Sequence, residues 1–138
     1  MLCSEQVIIV ADDDPDDVLL IKDALREVHF SGNVVAAGNG IELIGHLLND
    51  TPSPSFILLD LNMPVKDGRE TLKELKSHPK WKSIPIVVHT TSDSPKDILF
   101  CYTHGVNSYV CKGSSYGELR KNMEGIVSYW FDISRLPC

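Results

Sequence analysis

Along the chain, short runs of Val, Ile and Leu alternate with longer stretches in which apolar residues return every three or four positions. The short runs predict β-strands and the longer stretches amphipathic helices. Five strands are expected, at residues 6–11, 33–37, 56–59, 86–89 and 108–111, each continuously apolar at its centre, as in strands buried on both faces. A first helix has Asp14 as its N-cap, Pro15 at its first position and Val18, Ile21, Leu25 and Val28 on one face, with Gly32 closing it. Further helices are expected over residues 40–49, 69–77 and 95–104, the last capped by Ser94 and ended by Gly105. The final helix is read over 115–133, where Leu119, Met123, Ile126, Trp130 and Ile133 step by four, three, four and three. Strand followed by helix, five times over, implies a parallel sheet covered on both faces through right-handed crossovers. The expected fold is α/β, a doubly wound five-stranded parallel sheet. No repeat or low-complexity linker divides the chain, so a single domain over residues 1–138 is expected.

Composition narrows the classes of function. Hydrophobic residues make up 43% and charged residues 23%, as in an ordinary globular core. A net charge of -6 counts against broad binding to nucleic acid or to an anionic membrane. No basic start leads into an apolar run and no apolar stretch approaches the length of a membrane span, so a soluble, cytoplasmic protein is expected. Cys3, Cys101, Cys111 and Cys138 form no CxxC pair, which predicts reduced thiols rather than a disulfide framework or zinc ribbon. The acids are unevenly placed: eight of 19 fall at or before Glu27, among them Asp12, Asp13, Asp14, Asp16 and Asp17.

Open parallel sheets bind ligands at the carboxyl ends of their strands, and the chemically useful residues gather there. Asp12 and Asp13 follow the first strand, Asp60 the third, Thr90 the fourth and Lys112 the fifth. A strand order of 2-1-3-4-5 would make the first and third strands neighbours and bring Asp12, Asp13 and Asp60 into one crevice. Three carboxylates at one place repel, and a divalent cation relieves the repulsion. Oxygen ligands without accompanying His or Cys favour Mg2+ or a similar hard ion. Such a site suits a phosphoryl group, with Thr90 donating a hydroxyl hydrogen bond, Lys112 supplying positive charge and a carboxylate as nucleophile. Asp14, Asp16 and Asp17 read instead as a cap and a solvated first turn facing the helix dipole.

The residues stand in four segments: IIVADDDPDD at the first strand end, LLDLNMPVKDG around Asp60, IPIVVHTTS around Thr90, and GVNSYVCK ending at Lys112. Together they resemble the receiver domains of two-component response regulators, over nearly the whole chain. TTS, GVNSY and the later YWF are similar to the stand-alone receivers related to phytochrome-associated regulators. The resemblance implies a flavodoxin-like, CheY-like (βα)5 fold with strand order 2-1-3-4-5. It implies that Asp60 accepts a phosphoryl group from a sensor histidine kinase, for this subgroup a phytochrome-type kinase, or from a phosphotransfer protein. Asp12, Asp13, Asp60 and the backbone carbonyl of Asn62 would hold Mg2+. Lys112 would bridge to the phosphoryl group, Thr90 would move to hydrogen-bond it, and Tyr109 would turn inward as Thr90 moves. Asn62 and Ser92 would line the water approach and tune dephosphorylation. Receivers usually carry Pro after the lysine, joined by a cis bond, where this chain has Gly113. A cis bond before a non-proline residue costs roughly 2.5 to 4 kcal/mol, so a trans turn is expected.

The chain ends six residues after Asp132, at Cys138, so no output domain is expected and output would go through partner contact. Trp130 falls on the helical stripe and reads as core, while Tyr129 and Phe131 flank it as candidates for a homodimer contact. The charged stretch around the third helix, from Lys66 to Lys82, reads as a solvated mixed-charge face, and His89 as a core or edge residue. The expected function is thus a Mg2+-dependent phosphorylation switch, not an enzyme beyond its own phosphorylation and dephosphorylation. Its rivals are a phosphorylation-independent interaction module of the same fold and an aspartate-nucleophile phosphatase. The phosphatase would need a second Asp two positions after Asp60, where Asn62 stands.

Overall fold

The computed structural model describes residues 5–49 and 53–137; Cys3 and Cys138 lie outside the described residues. Elements alternate as β1 (Val7–Ala11), α1 (Pro15–Glu27), β2 (Asn33–Ala37), α2 (Gly40–Leu48), β3 (Phe56–Leu59), α3 (Gly68–Ser77), β4 (Ile86–Thr90), α4 (Pro95–Thr103), β5 (Ser108–Cys111) and α5 (Tyr116–Val127). All neighbouring strands pair in parallel, in the order β2-β1-β3-β4-β5. This is the expected doubly wound sheet. Alternate side chains of the strands feed two cores. Ile9, Ile57, Leu59, Ile86 and Val88 pack with Leu43, Leu72, Leu75 and Cys101 of α2, α3 and α4, together with Trp81. On the opposite face Ile8, Val10, Phe56, Leu58 and Val87 pack with Val18, Ile21 and Leu25 of α1 and Met123 of α5.

The helices start where polar caps satisfy their free N–H groups. Asp14 accepts from Asp16 N at the start of α1, Asp67 from Glu70 N at the start of α3, and Ser94 from Asp97 N at the start of α4. Helix α1 is not closed by Gly32. Its C-cap is Val28, followed by His29 at φ 68, with Phe30 N donating to Leu25 O and His29 N to Arg26 O. That pair of bonds is a Schellman motif with His29 in the left-handed position, so helix closure is complete three residues before Gly32. Gly32 serves a close approach instead, because a Cβ there would lie 2.3 Å from the carbonyl oxygen of Gln6.

The last expected helix also differs. Regular α-helix stops at Val127 and the chain widens into a π-helical segment, Ser128–Ile133. The wider turn moves the apolar stripe: Ile133 is 70% exposed, and Phe131 turns inward. Phe131 stacks on Phe30 with ring centroids 5.4 Å apart and meets Phe56 at 5.7 Å. It is therefore a packing residue of this fold, half-buried within the single chain. Trp130 packs against the same core, as the stripe predicted, and Tyr129 remains exposed.

Candidate functional site

Register brings the site together. Ala11 pairs with both Ala37 and Leu59, and Thr90 with Cys111, so the strands end level at one edge of the sheet. Ladder bonds continue one residue further: Asp12 N donates to Ala37 O, Asp60 N to Ala11 O and Lys112 N to Thr90 O. Each site residue is thus anchored by its own backbone before its side chain makes any contact. Asp12 and Asp60 are 5% and 7% exposed, while Asp13 is exposed.

Lys112 stands at the centre. Its Nζ donates to Asp12 Oδ2 at 2.8 Å, Asp60 Oδ2 at 2.9 Å and Asp17 Oδ2 at 3.0 Å, which uses all three ammonium protons. Burial disfavours the ammonium, but the hydrogen bonds to Asp12, Asp60 and Asp17 outweigh it and hold the Lys112 pKa above its ordinary value. Burial likewise pushes the Asp12 carboxyl up, opposed by the bond from Lys112. Asp17 was expected to be only a solvated residue of the first turn; the structure gives it to Lys112. The chain passes from Asp13 into α1 almost at once, which lays the first turn of that helix over the strand ends. That was the available signal. No peptide bond among the described residues is cis, so Lys112–Gly113 is trans, as the glycine predicted.

Carboxylate oxygens of Asp12, Asp13 and Asp60 lie within 4.8 Å of one another. Two buried carboxylates and one exposed one, all oxygen donors at the open end of the sheet, fit a hard divalent cation that keeps part of its water. Asn62 N donates to Asp60 Oδ1 at 3.2 Å, which fixes the turn after β3. That turn is tight: a Cβ on Gly68 would lie 2.1 Å from the carbonyl oxygen of Asp60, and Gly68 N donates to Leu61 O.

Across the site, Thr90 is fully buried while Thr91 is exposed. Thr90 Oγ1 accepts a long bond of 3.4 Å from Ser92 N. The Ser92 carbonyl accepts from the Tyr109 hydroxyl at 2.8 Å, and Tyr109 is half-buried against the core. His89 lies in an interior strand and is 2% exposed, and its Nε2 has no hydrogen-bond partner among the described residues. The charged stretch around α3 is only partly a solvated face. Arg69 pairs with Asp97 of α4, and Lys76 donates to Ile84 O and Asn107 Oδ1.

Residues 8–124 match the response regulator receiver domain. The chain belongs to this family. Receivers are the phosphorylated switch domains of two-component systems, acting with histidine kinases or phosphotransfer proteins, and this receiver is a signalling domain rather than a metabolic enzyme. The response regulator Rcp1 of Synechocystis sp. is 35% identical over 137 residues, covering 96% of this chain and 93% of Rcp1. The phosphorylated cyanobacterial phytochrome response regulator RcpA superposes with a TM-score of 0.93 at 36% identity, covering 98% of this chain and 100% of that one. The Mn2+-bound form of Rcp1 gives 0.89 at 35% identity, covering 96% and 99%. The expected family and subgroup are thus both found. No helix among the described residues is long and apolar enough to cross a membrane.

Proposed function

We propose that Asp60 is the phosphoacceptor of this receiver, and that Asp12, Asp13, Asp60 and the backbone carbonyl of Asn62 hold Mg2+ beside it. One observation carries the reading: the buried Asp60 carboxylate shares Lys112 with Asp12 and lies within ligand distance of Asp12 and Asp13. The Asp60 oxygen forms a bond to phosphorus as the donor's P–N bond breaks, and the donor imidazole leaves with the electron pair. Bound Mg2+ supplies charge neutralisation for the phosphoryl oxygens. Lys112 exchanges a carboxylate partner for a phosphoryl oxygen, which keeps its ammonium satisfied throughout. Thr90 donates its hydroxyl to the same group, and the Ser92 turn follows because its N–H is bonded to Thr90. Tyr109, bonded to the Ser92 carbonyl, carries that movement to the surface of α4 and β5. Asn62 and Ser92 set the access of water and so the lifetime of the phosphoryl group.

The donor is a phytochrome-type sensor histidine kinase or a phosphotransfer protein, a reading supported by the likeness to RcpA and Rcp1. The receiver acts in the cytoplasm and signals by contact with a protein partner. Exposed Tyr129 and half-buried Phe131, in the π-helical segment after α5, are the candidates for a homodimer contact.

Intact-mass analysis after incubation with acetyl phosphate tests the reading. A single phosphate adduct is expected on the wild type with Mg2+, and none with a chelator or on Asp60→Asn. An adduct that persists on Asp60→Asn, or its absence from the wild type, overturns the assignment. Turnover of unrelated phosphate esters favours the phosphatase instead.

A further inference from the structure

The turn between β4 and α4 is held by Thr90 and Tyr109 and also by Asp97 of α4. Ser92 lies in that turn with its N–H, hydroxyl and carbonyl all engaged. The N–H meets Thr90 Oγ1, the carbonyl accepts from Tyr109, and the hydroxyl donates to Asp97 Oδ2 at 2.7 Å. Asp97 is in turn clamped from α3. Arg69 Nε donates to Asp97 Oδ1 and Nη2 to Oδ2, both at 2.9 Å, a two-pronged geometry that fixes orientation as well as distance. The Arg69 guanidinium and the Ser92 hydroxyl both hold the Asp97 carboxyl below its ordinary pKa, so it stays ionised and keeps accepting from both.

Arg69 is itself tied to the acceptor. It directly follows Gly68, whose Cα packs against the Asp60 carbonyl too closely to admit a Cβ and whose N–H is bonded to Leu61 O. A continuous path of short bonds therefore runs from the Asp60 turn through Arg69 and Asp97 to Ser92 and Tyr109. Displacing the Asp60 turn displaces Arg69, and the fork passes the shift to Asp97.

We propose that Arg69 and Asp97 are positioning residues of the switch: their forked ion pair holds the Ser92 turn where its carbonyl accepts the Tyr109 hydroxyl and where Thr90 can reach Asp60. Neither touches the reacting atoms. The proposal rests on Asp60 being the phosphoacceptor, and its test separates the two.

The receiver is labelled with 3-fluorotyrosine, and the Tyr109 resonance is assigned with Tyr109→Phe. In unphosphorylated Arg69→Gln and Asp97→Asn, the Tyr109 fluorine signal is expected to move toward that of exposed Tyr102. Phosphorylation by acetyl phosphate and Mg2+ is expected to slow about fivefold in each, the order of one partly buried forked pair, and no further in the double variant. Arg69→Lys, which keeps the charge but loses the fork, falls between. An unchanged Tyr109 signal in both single variants overturns the proposal, as do losses that multiply in the double variant. Absence of any adduct at Asp60 in the wild type overturns the acceptor assignment instead, and the fluorine signal then still decides whether the pair positions Tyr109.

Discussion

Replacing His89 by Leu removes a buried imidazole whose proton affinity the fold suppresses. Burial, reinforced by the positive charge of Lys112, lowers its pKa from 6.5 to about 4. Between those two values the unfolded chain binds a proton that the native chain refuses, so acid favours unfolding. The contribution is fully present above pH 6.5 and is lost as pH falls through about 4. At about 1.4 kcal/mol per pH unit, that gap is worth about 3 kcal/mol. Asp12 acts in the opposite sense: its raised pKa lets the native state take up a proton first, which stabilises the fold on acidification. The wild-type profile alone therefore mixes two signs, and the difference from His89→Leu isolates the histidine. Urea unfolding at neutral pH and near pH 4 measures it. The wild type should lose about 3 kcal/mol more than His89→Leu over that interval, and the variant should be no less stable at neutral pH, since it buries no unpartnered nitrogen. Parallel profiles for the two proteins would refute the reasoning.

Lys112→Met keeps the volume but leaves Asp12 and Asp60 buried without their cation, which should cost roughly 3 to 5 kcal/mol in a chelator. Mg2+ should restore at least half of that in urea titrations; an equal loss with and without Mg2+ would separate the lysine from the metal. Gly68→Ala forces a methyl group onto the Asp60 carbonyl and should lower stability by about 2 kcal/mol while slowing phosphorylation, read by thermal unfolding and adduct formation. Val65→Gly should raise stability by about 1 kcal/mol in calorimetry, because Val65 is 84% exposed, sits at φ 65 and forms a three-residue turn with Lys66 N bonded to Pro64 O. No gain would mean that the turn is unstrained.

The strands and the strand-end chemistry were legible because both depend on local pattern. Apolar runs such as Val7 to Ala11 and Ile86 to Val88 announce buried parallel strands, and a parallel sheet in this order must gather Asp12, Asp60 and Lys112 at one edge. Less legible was whatever depends on the geometry of a turn. His29 closes α1 because a Schellman motif tolerates it in the left-handed position, although Gly32 offered the stronger signal. Phe131 points inward because the helix widens at Ser128, and no residue of SYWFDI marks that change of period. Asp17 and Arg69 looked like solvated charges because their partners, Lys112 and Asp97, lie 95 and 28 residues away and meet them only through tertiary packing.

Borohydride reduction of the phosphorylated receiver, followed by peptide mapping, tests the role of Asp60 most directly. Hydride cleaves an acyl phosphate and converts the modified aspartate to homoserine, so the reacted position is read from the fragment itself. Homoserine at position 60, formed only when Mg2+ was present during phosphorylation, is the expected result. Homoserine at Asp12 or Asp13, or unreduced phosphate on a serine or threonine, would contradict the proposed site.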